Sequence, residues 1–255
     1  MSLSLPGVAD PAAAILLLIA AFAGGVVRGF TGFGFAMVFV PVASMAVGPA
    51  PAVALIWLID APFAFPLAVR SFPRATWREV LPLLVGSVAA MPLGVFLLTQ
   101  LDRNVARWLI ALSISAALAA LISGWRYKTE PSRHLSLSVG AMSGLYSGLA
   151  QLGGMPLAIF WLGSQINNAL RTRDNLQVFF ALTTLISGAI FAWSGVLKFD
   201  YVWTAVPLIV AYGVGLAIGV KSFHLASEQT FRRVAYSVIG VSVALALPLF
   251  DQWLK

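Results

Sequence analysis

Long apolar segments alternate with short gaps rich in charged and turn-forming residues along the whole chain. A helix needs about 20 residues to cross a bilayer. The pattern predicts helical segments at 11–28, 34–48, 51–69, 79–99 and 105–124 in the first half, and at 135–150, 154–165, 175–196, 202–221 and 232–250 in the second half. We therefore expect an all-α integral membrane protein that forms one domain over 1–255, with a linker at 125–134.

Glycines interrupt one of these apolar stretches. The run from Gly24 to Pro41, GGVVRGFTGFGFAMVFVP, holds five glycines and one arginine. Each glycine costs a helix interior about 1 kcal/mol relative to alanine, and Gly29, Gly32 and Gly34 concentrate this cost. Backbone freed in lipid is tolerated only where it is buried in protein or lines a cavity. The run therefore predicts a broken or re-entrant helix next to a site.

The two halves of the chain look like copies of one unit. Glycines of the first run recur at a constant offset of 119, with Gly25, Gly29 and Gly34 matching Gly144, Gly148 and Gly153. Further along, Pro82 and Arg107 match Pro207 and Arg232 at an offset of 125. These matches predict repeats at 11–124 and 135–250, an organisation best known from secondary transporters. The alternative is chance similarity between glycine-rich membrane segments.

Loop charges predict how the two repeats are oriented. With five crossings per half, most cations fall on one surface, here named the arginine-rich face: Arg70, Arg74, Arg78, Arg126, Lys128, Arg133, Arg171, Arg173, Lys221, Arg232 and Arg233. The other face receives Arg103, Arg107, Lys198 and Lys255. Four crossings per half would divide the same residues almost evenly between the two faces of the membrane. Because cytoplasmic loops carry the excess of Lys and Arg, we expect inverted repeats, a cytoplasmic linker and both termini outside the cytoplasm.

Composition excludes several functional classes. Hydrophobic residues make up 60% of the chain and charged residues 10%, and the mean hydropathy is +0.93. The net charge of +7 comes from cations in short loops that orient a membrane protein, so we expect a lipid bilayer and no nucleic acid as partner. There is no cysteine, and both histidines fall in predicted loops. We expect no catalytic residue, no metal and no cofactor, and therefore not an enzyme.

Arg28 is the strongest candidate for binding a ligand. A guanidinium buried without a partner in a membrane costs at least about 2.5–3.5 kcal/mol, so an intramembrane arginine usually faces a cavity or partner. Its planar fork suits a sulfonate or carboxylate. Helices that begin near Phe35 and Met155 would aim positive N-termini at the same anion. The alternative is that the first helix ends at Val27 and Arg28 snorkels to the membrane surface.

Residues around the two breaks complete the predicted substrate site, which comprises Arg28, Gly29, Thr31, Gly32, Gly34, Tyr146, Gln151, Gly153, Gly154 and Asn175. Asp60 lies deep in a predicted segment and is the candidate for coupling, because a desolvated carboxylate can carry a proton. Three interpretations of Asp60 stay open: a proton carrier, a structural partner of Arg28, or an acceptor of backbone N–H groups beside Pro62.

The glycine-rich break followed by a proline, Gly29 to Pro41, repeats in weaker form as Gly148 to Pro156 and resembles the TauE/SafE family of membrane transporters. The similarity covers nearly the whole chain. It implies a secondary transporter of a bacterial inner membrane that exports sulfite, sulfoacetate or another organosulfonate by alternating access. The alternative function is a passive anion channel or an accessory membrane subunit. The sequence leaves the oligomeric state open.

Overall fold

The computed structural model describes residues 10–123, 132–162 and 169–222, together with Val8 and Ser237. In this part of the chain the helices are α1 (Pro11–Thr31), α2 (Phe35–Val47), α3 (Pro49–Val69), α4 (Trp77–Gln100), α5 (Arg103–Ile122), α6 (Arg133–Ala150), α7 (Gly154–Leu162), α8 (Ala169–Trp193) and α9 (Asp200–Ser222). Five of them, α1, α3, α4, α8 and α9, are long and apolar enough to cross a membrane. The prediction of an all-α membrane protein is therefore confirmed.

Nine of the ten predicted segments coincide with these helices, and within the described residues their ends differ by at most six residues. The segment at 232–250 lies almost entirely outside the described residues. The largest difference is at α8, which begins at Ala169 because the charged run at 171–174 is helical. Local chemistry fixes other ends: Asp10 and Asp102 accept backbone N–H groups of the first turns of α1 and α5, at 3.0 and 2.8 Å.

Glycines bring two pairs of helices into backbone contact. Along α4 and α6 the facing positions advance together, so these helices run in the same direction: Gly140 faces Leu83, Gly144 faces Ser87 and Gly148 faces Met91. A Cβ atom at Gly144 would lie 2.0 Å from the Ser87 carbonyl oxygen, so a larger residue has no room. The pair α1 and α9 packs in the same way and direction, through Gly25, Gly29, Gly215 and Gly219. Small residues of this kind allow membrane helices to approach closely.

The first helix of each half packs against a helix of the other half. In the first half, α1 packs mainly against α9, whereas α6 of the second half packs mainly against α4. Between α1 and α2 the chain turns back on itself, because a Cβ atom at Gly24 would lie 3.3 Å from the carbonyl oxygen of Phe35. The two halves are therefore interlocked rather than forming separate lobes.

Candidate functional site at the two helix breaks

The first break is a three-residue turn between α1 and α2. Gly32 and Gly34 have φ values of 82° and 95°, a left-handed conformation that glycine adopts without steric cost. Thr31 closes the turn, because its hydroxyl donates to the Phe33 carbonyl at 2.6 Å and accepts the Phe33 N–H at 3.2 Å. The side chain of Thr31 is thus occupied within the break, and α2 begins at Phe35.

The second break lies between α6 and α7 and uses different chemistry. Gln151 takes the left-handed conformation, with φ of 56°. The Ser143 hydroxyl donates to the Gly153 carbonyl at 2.8 Å, and a Cβ atom at Gly153 would lie 1.9 Å from the Ser147 hydroxyl oxygen. Gly153 is therefore required for space rather than for a positive φ. The Tyr146 carbonyl accepts the Leu152 N–H at 3.0 Å, which fastens the turn.

The two breaks meet at one cavity of about 50 Å³. The first residues of α2 and of α7 line it, and a Cβ atom at Gly154 would lie 3.5 Å from the Cβ of Phe33. The first N–H groups of a helix have no intrahelical acceptor, and they carry its positive end. Polar side chains on the wall are Arg28, Asp60, Ser147, Gln151, Thr183, Thr184 and Ser187. The cavity is thus suited to an anion of small size.

Arg28 is buried at this cavity, with 6% of its surface exposed. Its Nη2 donates to Asp60 Oδ2 at 3.0 Å, and its Nη1 donates to the Gly32 carbonyl at 3.2 Å. The guanidinium also lies 4.6 Å from the ring centre of Phe180. Because α1 continues to Thr31, the alternative in which the helix ends at Val27 and Arg28 snorkels outward is wrong.

Asp60 has a different partner on each oxygen. While Oδ2 accepts from Arg28, Oδ1 accepts a hydrogen bond from the Tyr212 hydroxyl. Tyr212 is buried on α9, and its ring packs 4.3 Å from that of Phe35 and 5.2 Å from that of Phe63. Asp60 lies near the middle of α3, so this charged group is far from both ends of a spanning helix.

Only some of the remaining predicted site residues line the cavity. Gly34, Gln151 and Gly154 line the cavity with Arg28. Gly29 packs against α9, because a Cβ atom added at this position would lie 2.3 Å from the Leu216 carbonyl oxygen. Gly32 and Gly153 shape the turns, as described above, and Thr31 and Tyr146 fasten them.

Asn175 lies near the start of α8, within a network of polar side chains that includes the start of α4. Its Oδ1 accepts the Thr76 N–H at 2.8 Å, and its Nδ2 donates to Glu79 at 3.2 Å. Glu79 also accepts from Arg171 at 2.6 Å and from the Trp161 indole at 2.9 Å. The network joins α4, α7 and α8, so Asn175 fixes the positions of these helices relative to one another.

Sequence reasoning missed several residues of the cavity wall. Thr183, Thr184 and Ser187 form a polar patch on α8, and Tyr212, which donates to Asp60 from outside the wall, was missed as well. A signal for the α8 residues exists in the sequence, because polar residues spaced three and four apart in an apolar helix share one face. In the part of the chain that the structure describes, no three histidine, aspartate or glutamate side chains lie together as metal ligands.

Comparison with known protein families gives a match over most of the chain. The family model described as "Sulfite exporter TauE/SafE" matches residues 16–246, a range that includes both breaks and the whole cavity wall. No curated protein and no solved structure gave a significant match.

Proposed function

The chain belongs to the TauE/SafE sulfite exporter family, and from that premise we propose that it exports a small sulfur-containing oxyanion, such as sulfite, sulfoacetate or another organosulfonate. It does so as a secondary transporter in a bacterial inner membrane. The observation that carries this proposal is the position of Arg28 at a cavity between two helix N-termini. These groups supply the donors that a sulfonate or sulfite group needs.

The substrate competes with Asp60 for Arg28 in this proposal. In the structure the ion pair leaves the cavity wall with balanced side-chain charges, so an added anion brings one uncompensated negative charge. A proton on Asp60 would restore the balance, because the anion then takes the place of the carboxylate at Arg28. In this proposal the site carries an anion and a proton together, so the higher concentration of the anion inside the cell drives the export, while the Tyr212 hydroxyl stays hydrogen-bonded to Asp60.

Inverted repeats at 11–124 and 135–250 provide the alternating access. The chain turns back between α1 and α2, and again at Gly48, since Phe35 and Asp60 line the same cavity from α2 and α3. A short connection at 70–76 reverses the direction once more into α4, and α6 runs with α4. These turns support a second repeat that runs opposite to the first, with the arginine-rich face in the cytoplasm.

Flux of radiolabelled sulfite and sulfoacetate into proteoliposomes, with and without a pH gradient, tests the function. The proposal expects a saturable flux that the gradient drives uphill. A flux that does not saturate would favour the channel alternative. The absence of flux for both anions would exclude the transporter and the channel alike.

A further inference from the structure

A second and smaller cavity lies behind Arg28. It measures about 10 Å³, and its wall includes Arg28, Gly29, Gly32, Leu67, Arg173 and Gln177. Leu67 and Gln177 are near the ends of α3 and α8 that adjoin the arginine-rich face. Arg28 therefore lines both cavities, and the smaller one is a narrow space between Arg28 and Arg173.

Arg173 crosses that narrow space from α8 to α1. Its Nη2 donates to the Gly29 carbonyl at 3.0 Å. Gly29 lies in the last turn of α1, where carbonyl groups lack an intrahelical N–H donor, and the N–H of Phe33 is bound by Thr31 instead. A Cβ atom at Gly32 would lie 3.3 Å from Arg173 Cγ, so glycine at this position leaves the arginine room to pass.

We propose that Arg173 is a second anion-binding residue, which receives the oxyanion from the arginine-rich face and passes it to Arg28. This inference rests on the proposed function. A carbonyl is a neutral acceptor, whereas a sulfite or sulfonate oxygen forms a charge-assisted hydrogen bond of about twice the strength. The arriving anion takes the place of the Gly29 carbonyl at Arg173. The same exchange breaks the contact between α8 and α1 and opens the space behind Arg28.

Neighbouring side chains are consistent with this role. Asp174, the next residue on α8, adds negative charge beside Arg173, and its Oδ1 accepts from the hydroxyl of Ser71 in the connection after α3 at 2.6 Å. Arg171 has a carboxylate partner in Glu79, at 2.6 Å, and belongs to the network that fixes the helices. Arg173 differs from Arg171 in lining a cavity that it shares with Arg28.

Sided transport measurements test the proposal. Labelled sulfite is presented to membrane vesicles of each orientation, so that the apparent KM is obtained separately for the arginine-rich face and for the opposite face. We expect Arg173→Gln to raise the KM about tenfold at the arginine-rich face, and to leave the KM at the opposite face unchanged. Arg173→Lys, which keeps the charge but loses the fork, gives a smaller increase at the same face.

The exposed Arg74 provides a matched control, because Arg74→Gln removes the same charge from the same face without touching either cavity. An equal KM change at both faces, or an equal change in Arg74→Gln, would overturn the role of Arg173. If Arg173→Gln fails to fold, Arg173→Lys is measured instead, and an equal KM change at both faces in that variant would also overturn the role of Arg173. The absence of saturable flux in the unmodified protein, by contrast, would refute the proposed function itself.

Discussion

Arg28 and Asp60 form an ion pair of 3.0 Å, although 32 residues separate them in the chain. Breaking such a buried pair by removing one partner commonly costs about 3–5 kcal/mol, because the other charge is left uncompensated. In this protein the pair lines a cavity whose wall also includes residues of both helix breaks. We expect an anion to compensate Arg28 whenever Asp60 is neutral, and this expectation gives the first two predictions.

Asp60→Asn should separate exchange from net transport. The amide cannot release a proton, so a pH gradient no longer drives sulfite uphill. Arg28 remains free to bind the anion, so exchange of labelled for unlabelled sulfite across the membrane continues. Counterflow and gradient-driven uptake are measured in the same proteoliposome preparation. Uphill accumulation by the Asn variant under a pH gradient would contradict the role of Asp60.

Sulfite should stabilise the Asp60→Asn variant more than it stabilises the unmodified protein. Without an anion, Asp60→Asn leaves the guanidinium of Arg28 with a neutral partner, and the Tm in detergent falls. Saturating sulfite compensates this charge, so the Tm should rise more in the variant than in the unmodified protein. Thermal melting with a sulfite titration gives both values. An equal rise in the two proteins would indicate that the anion binds away from Arg28.

Gly144→Ala should destabilise the protein even though alanine favours a helix by about 1 kcal/mol. The added Cβ atom would lie 2.0 Å from the Ser87 carbonyl oxygen and would force α4 and α6 apart. Thermal melting in detergent measures the effect. Ser138→Ala, at an exposed position on α6, is the control and should leave the Tm nearly unchanged. An increase of the Tm in Gly144→Ala would show that this contact is not tight.

Glycine has two structural roles in this protein, in turns and at close helix contacts, and the sequence alone does not distinguish them. Gly32 and Gly34 were expected to break a helix, and both have the positive φ that a turn requires. The repeated Gly29 and Gly148 looked like part of the same feature, yet both lie within helices and pack against neighbouring backbones. A glycine in an apolar run serves either purpose, and the choice depends on which helix packs beside it.

Long-range partners limited the prediction of the site in a similar way. The depth of Arg28 and of Asp60 could be read from hydropathy, because each is a charge within an apolar segment. Tyr212 donates to Asp60 from 152 residues away, and no local pattern indicates that α9 lies beside α1 and α3. Asn175 follows the second break in the chain but is drawn into the network around Glu79.

Inverted repeats predict that corresponding loops lie on opposite sides of the membrane. The chain has no cysteine, so single cysteines can be introduced without a background. Arg74→Cys lies in the loop before α4, and Phe199→Cys lies in the corresponding loop before α9, where Phe199 is 77% exposed. A membrane-impermeant thiol reagent should label only one of the two from outside intact cells. Labelling of both from the same side would exclude the inverted arrangement.

Binding of the anion at Arg28 is the central claim, and equilibrium binding of radiolabelled sulfite to the purified protein tests it most directly. Charge-assisted hydrogen bonds contribute about 1.5–3 kcal/mol, so Arg28→Gln should weaken binding about tenfold to a hundredfold. The exposed Arg74→Gln serves as the control and should bind as the unmodified protein does. Unchanged affinity in a folded Arg28→Gln variant would contradict the account.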